Sequence, residues 1–475
     1  MRQRPATSRA PDADTQRAVR HRGRTLPNES SSRSRPSGAC MKAVNNCLSE
    51  IGQSREPHLS TAIPMHHRTS PPLRVAPDDE AYWLSIRASM QPMYVNTQLV
   101  NTRRGPAPFR VREVIRSLVD LSLAYELDEY EPFRELKESG SSVAIRQSLA
   151  GYFGASADEI ALTRNAMEGI ATVLNGVTLQ PGDEILATRF CYDSNLAIIR
   201  QRVRRDGVVL KFVDLPFGPA SEADIVAAFE AAIHARTRLV SFPHVVARTG
   251  LVLPVKQISE IAARYGAFSF VDGAHSAGHI AVALDELGCD GYAACLHKWM
   301  YGPRGTGFLY IRRDRIKDIW PLFASWSNKP KDSIEKFEEV GTVFKALPAA
   351  ILETMAFNLE VGQAEKTARL RYLRDRWARQ LGAHDRVTLL TDLDAEPGTG
   401  FAAFNVEGLA PQEFAAALLA DYGISVRPFS MEEDAAMAGI HLSPSLANSV
   451  EEVDRFVEAA TAILARTHNS FRPTT

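Results

Sequence analysis

Two short stretches of the 475-residue chain set ionisable side chains directly behind apolar runs. Ala267 to Val271 is followed by Asp272, Gly273 and His275, and Gly291 to Leu296 is followed by His297 and Lys298. Apolar runs this short, with turn residues behind them, predict buried strands of a parallel sheet. Side chains just past the carboxyl ends of such strands face the crevice where open α/β sheets bind ligands. The spacing therefore delivers a carboxylate and an amine to one place. The amine can attack a carbonyl, and the carboxylate can keep a facing nitrogen protonated. The same Asp and Lys would also serve as a buried ion pair between neighbouring strands.

A chemistry that uses both groups is that of pyridoxal 5'-phosphate. Lys298 supplies the amine for a Schiff base with the aldehyde. Asp272 favours the charged pyridine nitrogen, so that the ring acts as an electron sink. The letters FVDGAHSAGH and LHKWMYGPRGTGFLY carry a resemblance: the chain is similar to the class V aminotransferase family of fold-type I pyridoxal-phosphate enzymes, in particular its isopenicillin N epimerase-like branch. The resemblance runs from about Ala81 to the C-terminus. It implies that Lys298 carries the cofactor, that Asp272 faces the pyridine nitrogen, that His275 lies near the ring's 3-oxygen and that His297 lies near the phosphate. It also implies an α/β fold. Residues 113–345 would form a large domain with a mostly parallel seven-stranded sheet flanked by helices. Residues 346–475 would form a smaller α+β domain, and residues 79–112 a segment packed with it.

The elements that must position these groups can be placed along the chain. DDEAYWLSIRASM has amphipathic helical spacing. Helices are predicted from about Phe109 to Tyr125 and from about Val143 to Phe153. In EIALTRNAMEGIATVLNGV, Ile160 to Leu162 reads as a strand. Asn165 then caps a helix over Met167 to Val177, with Glu168 completing a capping-box pattern. A helix N-terminus behind a strand offers free backbone N–H groups and a positive dipole end to a phosphate. The segment resembles the family's phosphate loop, so Ala166 and Met167 would bind phosphate through their amides, although a Thr hydroxyl is usual where Met167 stands. A capped surface helix is the lesser alternative for the same letters. In GDEILATRFCYDSN the family places a ring against the cofactor, and Phe190 or Tyr192 supplies it. Leu239 to Val246 is a predicted strand carrying His244. Val246 and Ala247 stand where relatives carry polar groups, and Cys295 stands where a small hydroxyl or amide is usual near the phosphate. The resemblance implies that Thr342 contacts the phosphate of a neighbouring subunit's cofactor, and hence a homodimer with a shared active site.

The pattern fails where the substrate carboxylate should be held. GIHLSPSLANSVEEVDRF resembles a family segment whose Arg grips the carboxylate with a two-point fork. Here the position is His441, which cannot supply that planar grip. Arg427 or Arg248 could hold the carboxylate instead, or the substrate could lack an ordinary one. Asn96 remains from a turn that opens into the active site in relatives, without the glycines that follow it there.

Composition bounds the rest. Hydrophobic content of 45% and charged content of 23% suit a globular enzyme, and a formal net charge of −1 gives no reason to expect nucleic-acid or membrane partners. Five cysteines in no CxxC or metal-ligand spacing fit free thiols, no metal and a cytoplasmic setting. Residues 1–78 are rich in Arg, Ser and Pro and predict a disordered tail. A transit-peptide mimic, or a true start at Met41 or Met65, are the other readings.

Function follows as an expectation: a pyridoxal-phosphate enzyme acting on an amino acid or related amine, with Lys298 moving the α-proton. Aminotransfer, epimerisation and C–S or β-elimination share these steps. A cysteine desulfurase is disfavoured, because no Cys follows Cys295 and a mobile late Cys would be required. The alternative is a catalytically idle binding protein on the same fold.

Overall fold

The computed structural model describes residues 74–91, 95–124, 141–324, 329–341, 343–344, 346–430 and 437–469. The expected tail therefore lies almost wholly outside the described residues, and so does Thr342.

A two-residue strand, β1 (Thr97–Gln98), stands apart from the main sheet. Seven strands follow: β2 (Ile160–Thr163), β3 (Glu184–Thr188), β4 (Val209–Val213), β5 (Thr237–Pro243), β6 (Phe268–Asp272), β7 (Gly291–Cys295) and β8 (Gly307–Ile311). They form one sheet in the order β2-β8-β7-β6-β5-β3-β4. Only β8 runs against its neighbours, β2 and β7, and every other pairing is parallel. This is the mostly parallel seven-stranded sheet that was expected. Its central strands are buried along nearly their whole length, as a sheet covered on both faces requires.

Side chains alternate between the two faces. Phe242, Val271, Tyr292 and Phe308 pack on one side against α3 (Ser141–Phe153), α6 (Glu222–Ala232), α7 (Val255–Arg264) and α9 (Ala346–Val361). Leu239, Phe270, Ala293 and Leu309 pack on the other against α4 (Ala166–Gly176) and α5 (Asp193–Asp206). The first face also receives α1 (Glu80–Met90) through Trp83. The helix α2 (Phe109–Ala124) lies against α9, and the short α8 (Leu284–Leu287) follows β6.

A second sheet of β12 (Arg427–Ser430), β13 (Ala438–Leu442), β10 (Ala402–Val406) and β9 (Val387–Leu389) is wholly antiparallel. Its core joins Phe404 to residues of α10 (Gln363–Gly382), α11 (Pro411–Tyr422) and α12 (Val450–Asn469). Within that core Trp377 meets Phe456 edge to face at 5.7 Å. β11 (Ile424–Ser425) pairs in parallel with β1, and Arg87 of α1 bonds Glu452 of α12 at 2.7 Å.

Predicted boundaries shift by a few residues. The strand expected to reach Val246 ends at Pro243, because the chain leaves β6 to make its own turn. Val246 N–H donates to Leu251 O at 2.8 Å, and Leu253 N–H to His244 O at 2.9 Å. Among the described residues no helix is long and apolar enough to cross a membrane.

Candidate active site

The predicted strand ends converge. Asp272, His275, Cys295, His297 and Lys298 line one cavity of about 300 Å³, together with Asn165, Ala166, Met167, Phe190 and Tyr192. It lies at the carboxyl ends of β3, β5, β6 and β7, where the N-terminus of α4 also arrives.

Asp272 is fixed from two sides. Asn195 Nδ2 donates to its Oδ2 at 2.7 Å, and the Ala274 N–H donates to its Oδ1 at 3.0 Å. The turn behind it depends on glycine. A Cβ at Gly273 would fall 2.0 Å from the Tyr292 ring. Tyr292 in turn shares a 2.5 Å hydrogen bond with Ser276. Lys298 Nζ lies 3.0 Å from His275 Nε2. Burial, then the Lys298 charge, holds His275 well below its ordinary value, so its ring is neutral at neutral pH. Burial likewise brings His297 down to about 4.

The lysine turn is clasped from both ends of the chain. Gly105 N–H donates to His297 O at 2.9 Å. Tyr301 adopts a left-handed backbone (φ 58) three residues past Lys298, and its hydroxyl accepts from Leu446 N–H at 3.1 Å. A non-glycine residue in that conformation costs of order 1–3 kcal/mol, so the surrounding contacts must hold it there.

At α4 the geometry differs from the expected capping box. Asn165 Oδ1 accepts from Glu168 N–H at 3.0 Å, as predicted, but the Glu168 carboxylate accepts from Arg164 N–H at 2.6 Å rather than from the cap residue. Ala166 N–H donates to Cys295 Sγ at 3.3 Å. The thiol, raised by burial, thus takes up one of the helix-end donors and leaves the Met167 N–H without an intrahelical partner. Of the two ring candidates, Phe190 is buried, whereas Tyr192 caps α5 and is 42% exposed. Ala247 lines the cavity and Val246 does not.

The substrate candidates separate. Arg248 is committed: Nη2 lies 2.9 Å from Asp193 Oδ1, and only the Arg248 carbonyl reaches His441 Nδ1, at 3.0 Å. His441 is buried, its ring tilted 43° to that of Phe401 at 4.6 Å between centroids, and burial drives it down to about 3. It has no charge with which to anchor a carboxylate. Arg427 has no ion pair among the described residues, and its charge contributes to the lowering of both His275 and His441. Asn96 and Arg427 line a second, larger cavity and not the one around Lys298.

Sequence reasoning missed Asn195. It stands three residues past Tyr192, at the start of a helix, and nothing local marks its side chain as turned toward a strand end 77 residues away.

The donor set fits pyridoxal 5'-phosphate. A helix N-terminus suits the phosphate, Asp272 suits the pyridine nitrogen, and Lys298 suits the aldehyde. The buried nitrogens His275 Nδ1 and His297 Nδ1 also have no hydrogen-bond partner, as groups awaiting a ligand would not.

Comparison with known proteins agrees with this chemistry. The aminotransferase class-V family matches residues 137–456. An isopenicillin N epimerase from Streptomyces clavuligerus is 30% identical over 334 residues, covering 67% of this chain and 83% of that protein. A probable cysteine desulfurase from Halobacterium salinarum is 29% identical over 343 residues, covering 66% and 78%. The fold matches the apo structure of a cysteine desulfurase from Thermococcus onnurineus NA1, with a TM-score of 0.68 at 23% identity over 78% of this chain and 95% of that one. This chain belongs to the class V aminotransferase family and is an enzyme of the pyridoxal 5'-phosphate-dependent kind.

Proposed function

We propose that this chain moves the α-proton of an amino acid, with Lys298 as the base and Arg427 as the carboxylate anchor. The observation that carries the reading is the 3.0 Å approach of Lys298 Nζ to His275 Nε2, at the wall of a cavity that Asp272 also lines. When bound, pyridoxal phosphate supplies an aldehyde that captures amines and a ring that withdraws electrons. The chain's own residues do the rest. The Met167 N–H and His297 would take the phosphate, whereas the Ala166 N–H, expected there too, is occupied by Cys295 Sγ. Asp272, held by Asn195, would face the pyridine nitrogen and keep it protonated. Phe190 and Tyr192 are the two candidates for the ring that lies against the cofactor. A neutral His275 accepts a hydrogen bond from the Lys298 amine and orients it without competing for its charge.

Arg427 is favoured over Arg248 because its guanidinium has no described carboxylate partner, whereas Arg248 is held by Asp193. A homodimer in which Thr342 reaches the neighbouring site belongs to the same proposal.

Aminotransfer and epimerisation both follow from α-proton movement. C–S cleavage is a second reading, favoured by the desulfurase relatives and by Cys295 in the cavity wall. Against it, no Cys follows Cys295, and Cys295 is held in a strand with a thiol raised by burial. The visible absorption of the purified chain with pyridoxal phosphate, before and after a panel of amino acids that includes cysteine, tests all of these. A band that moves with an amine supports the reading. Sulfide release from cysteine would favour C–S cleavage, and a protein that never takes up colour would refute the enzyme reading.

A further inference from the structure

A larger cavity, of about 670 Å³, lies beside the lysine turn. Its described lining contains five arginines (Arg103, Arg104, Arg112, Arg304 and Arg427) and no Asp or Glu. Arg103, Arg104 and Arg304 are exposed, while Arg112 and Arg427 are half-buried. Among the described residues, none of the five has an ion pair to a carboxylate. The Arg304 guanidinium is held below its ordinary value, first by burial and then by the charge of Arg104.

A second observation points the same way. Asn101 lines this cavity and is 4% exposed, yet both its Nδ2 and its Oδ1 lack a hydrogen-bond partner. Buried amides left unpaired are rare and mark a missing ligand or water. Gathered guanidiniums without a counter-charge repel one another, and an anion relieves that repulsion while accepting paired hydrogen bonds.

The cavity is coupled to the lysine site by the backbone. The loop that carries Arg103 and Arg104 continues into Gly105, where a Cβ would fall 2.4 Å from Lys298 O. No larger residue fits there, so the arginine loop is pressed directly on the lysine turn. Arg427 lines the large cavity while its charge reaches His275.

We infer that this cavity receives a second carboxylate, at the far end of the amino-acid substrate, so that the substrate class is a dicarboxylic amino acid with an extended chain. Arg427 takes the near carboxylate, and Arg103, Arg104 and Arg304 take the far one, with Asn101 completing its hydrogen bonds. This rests on the reading of the Lys298 site above.

The test uses the full chain and two readouts. In the first, the cofactor-loaded protein is titrated by absorbance with matched pairs that differ in a terminal carboxylate: norvaline with glutamate, norleucine with 2-aminoadipate, and 2-aminoheptanoate with 2-aminopimelate. At one chain length the acidic member is expected to bind about tenfold or more tightly than its neutral partner, with a preference that falls as salt rises. The substitutions Arg103→Gln and Arg304→Gln are expected to shrink that ratio. Equal affinities at every length, in a protein whose band does respond to amines, would overturn the inference and leave the lysine site standing. In the second, calorimetry follows glutarate, adipate and pimelate against the corresponding monoacids without added cofactor. This arm reads the inference even in a protein that never takes up colour. A diacid preference lost in Arg304→Gln supports it, and the absence of any preference refutes it.

Discussion

Around Lys298 the described polar groups are held by hydrogen bonds to neutral partners, whereas around Arg104 and Arg304 guanidiniums gather with no described acid beside them. Asp272 accepts two hydrogen bonds, His275 sits against the lysine amine, and burial keeps the surrounding imidazoles neutral. The large cavity gathers five arginines without a described acid. The first arrangement suits a reacting centre, because groups already oriented cost nothing to reorganise when charge moves. The second suits capture, because unanswered charge is answered only when an anion arrives. On the proposed reading, chemistry and recognition are separated in space, with Arg427 and the Gly105 backbone between them.

That contrast can be broken at its strongest point first. Lys298→Ala removes the amine on which the small cavity is built, and the visible response to amino acids is expected to vanish entirely. An unchanged spectrum would end the assignment.

Arg427→Gln should weaken substrate binding about 10–100-fold with a smaller change in kcat, because a two-point charged grip is lost. Arg248→Gln should act on thermal stability through its lost Asp193 partner, and a larger loss of affinity there than in Arg427→Gln would reverse the assignment of the anchor.

Asn195→Ala is expected to lower turnover about tenfold while leaving cofactor uptake intact. Asp272 would then lose its 2.7 Å donor and some of its orientation. A full-activity variant would show that the backbone bond from Ala274 suffices.

A further test concerns pH and stability, away from both cavities. Burial lowers His244 to about 4 and brings His279 and His441 to about 3. Between those values and the ordinary value near 6.5, the unfolded chain binds more protons than the folded one. Stability should therefore be full above about pH 6.5 and fall as the pH drops below it. Each of these histidines contributes a slope of about 1.4 kcal/mol per pH unit at most. A melting temperature flat from pH 7 to 4.5 would contradict the buried neutral state.

How much of this was legible in the sequence depended on how local the signal was. Asp272, His275 and Lys298 follow apolar runs directly, and strand geometry converts that adjacency into a shared crevice. Strands β6 and β7 were legible for the same reason, whereas the mostly parallel seven-stranded sheet as a whole was expected from the family resemblance. The choice between Arg427 and Arg248 was not legible, because it turns on Asp193, which lies 55 positions from Arg248. Asn195 was hidden in the same way. The large cavity has no motif at all. Its arginines come from four separated segments, and only tertiary packing brings them together.

The clasp on the lysine turn bears on how the enzyme is made. During synthesis the Lys298 strand leaves the ribosome well before Leu446, and the segment carrying Gly105 leaves well before either. Chains of this size fold in stages from the N-terminal side. The main sheet can therefore assemble while Tyr301 still lacks the Leu446 N–H that its hydroxyl accepts. That hydrogen bond forms only when the segment around Leu446 docks, so a chain truncated before it is expected to carry the sheet with the Tyr301 side of the lysine turn unclasped.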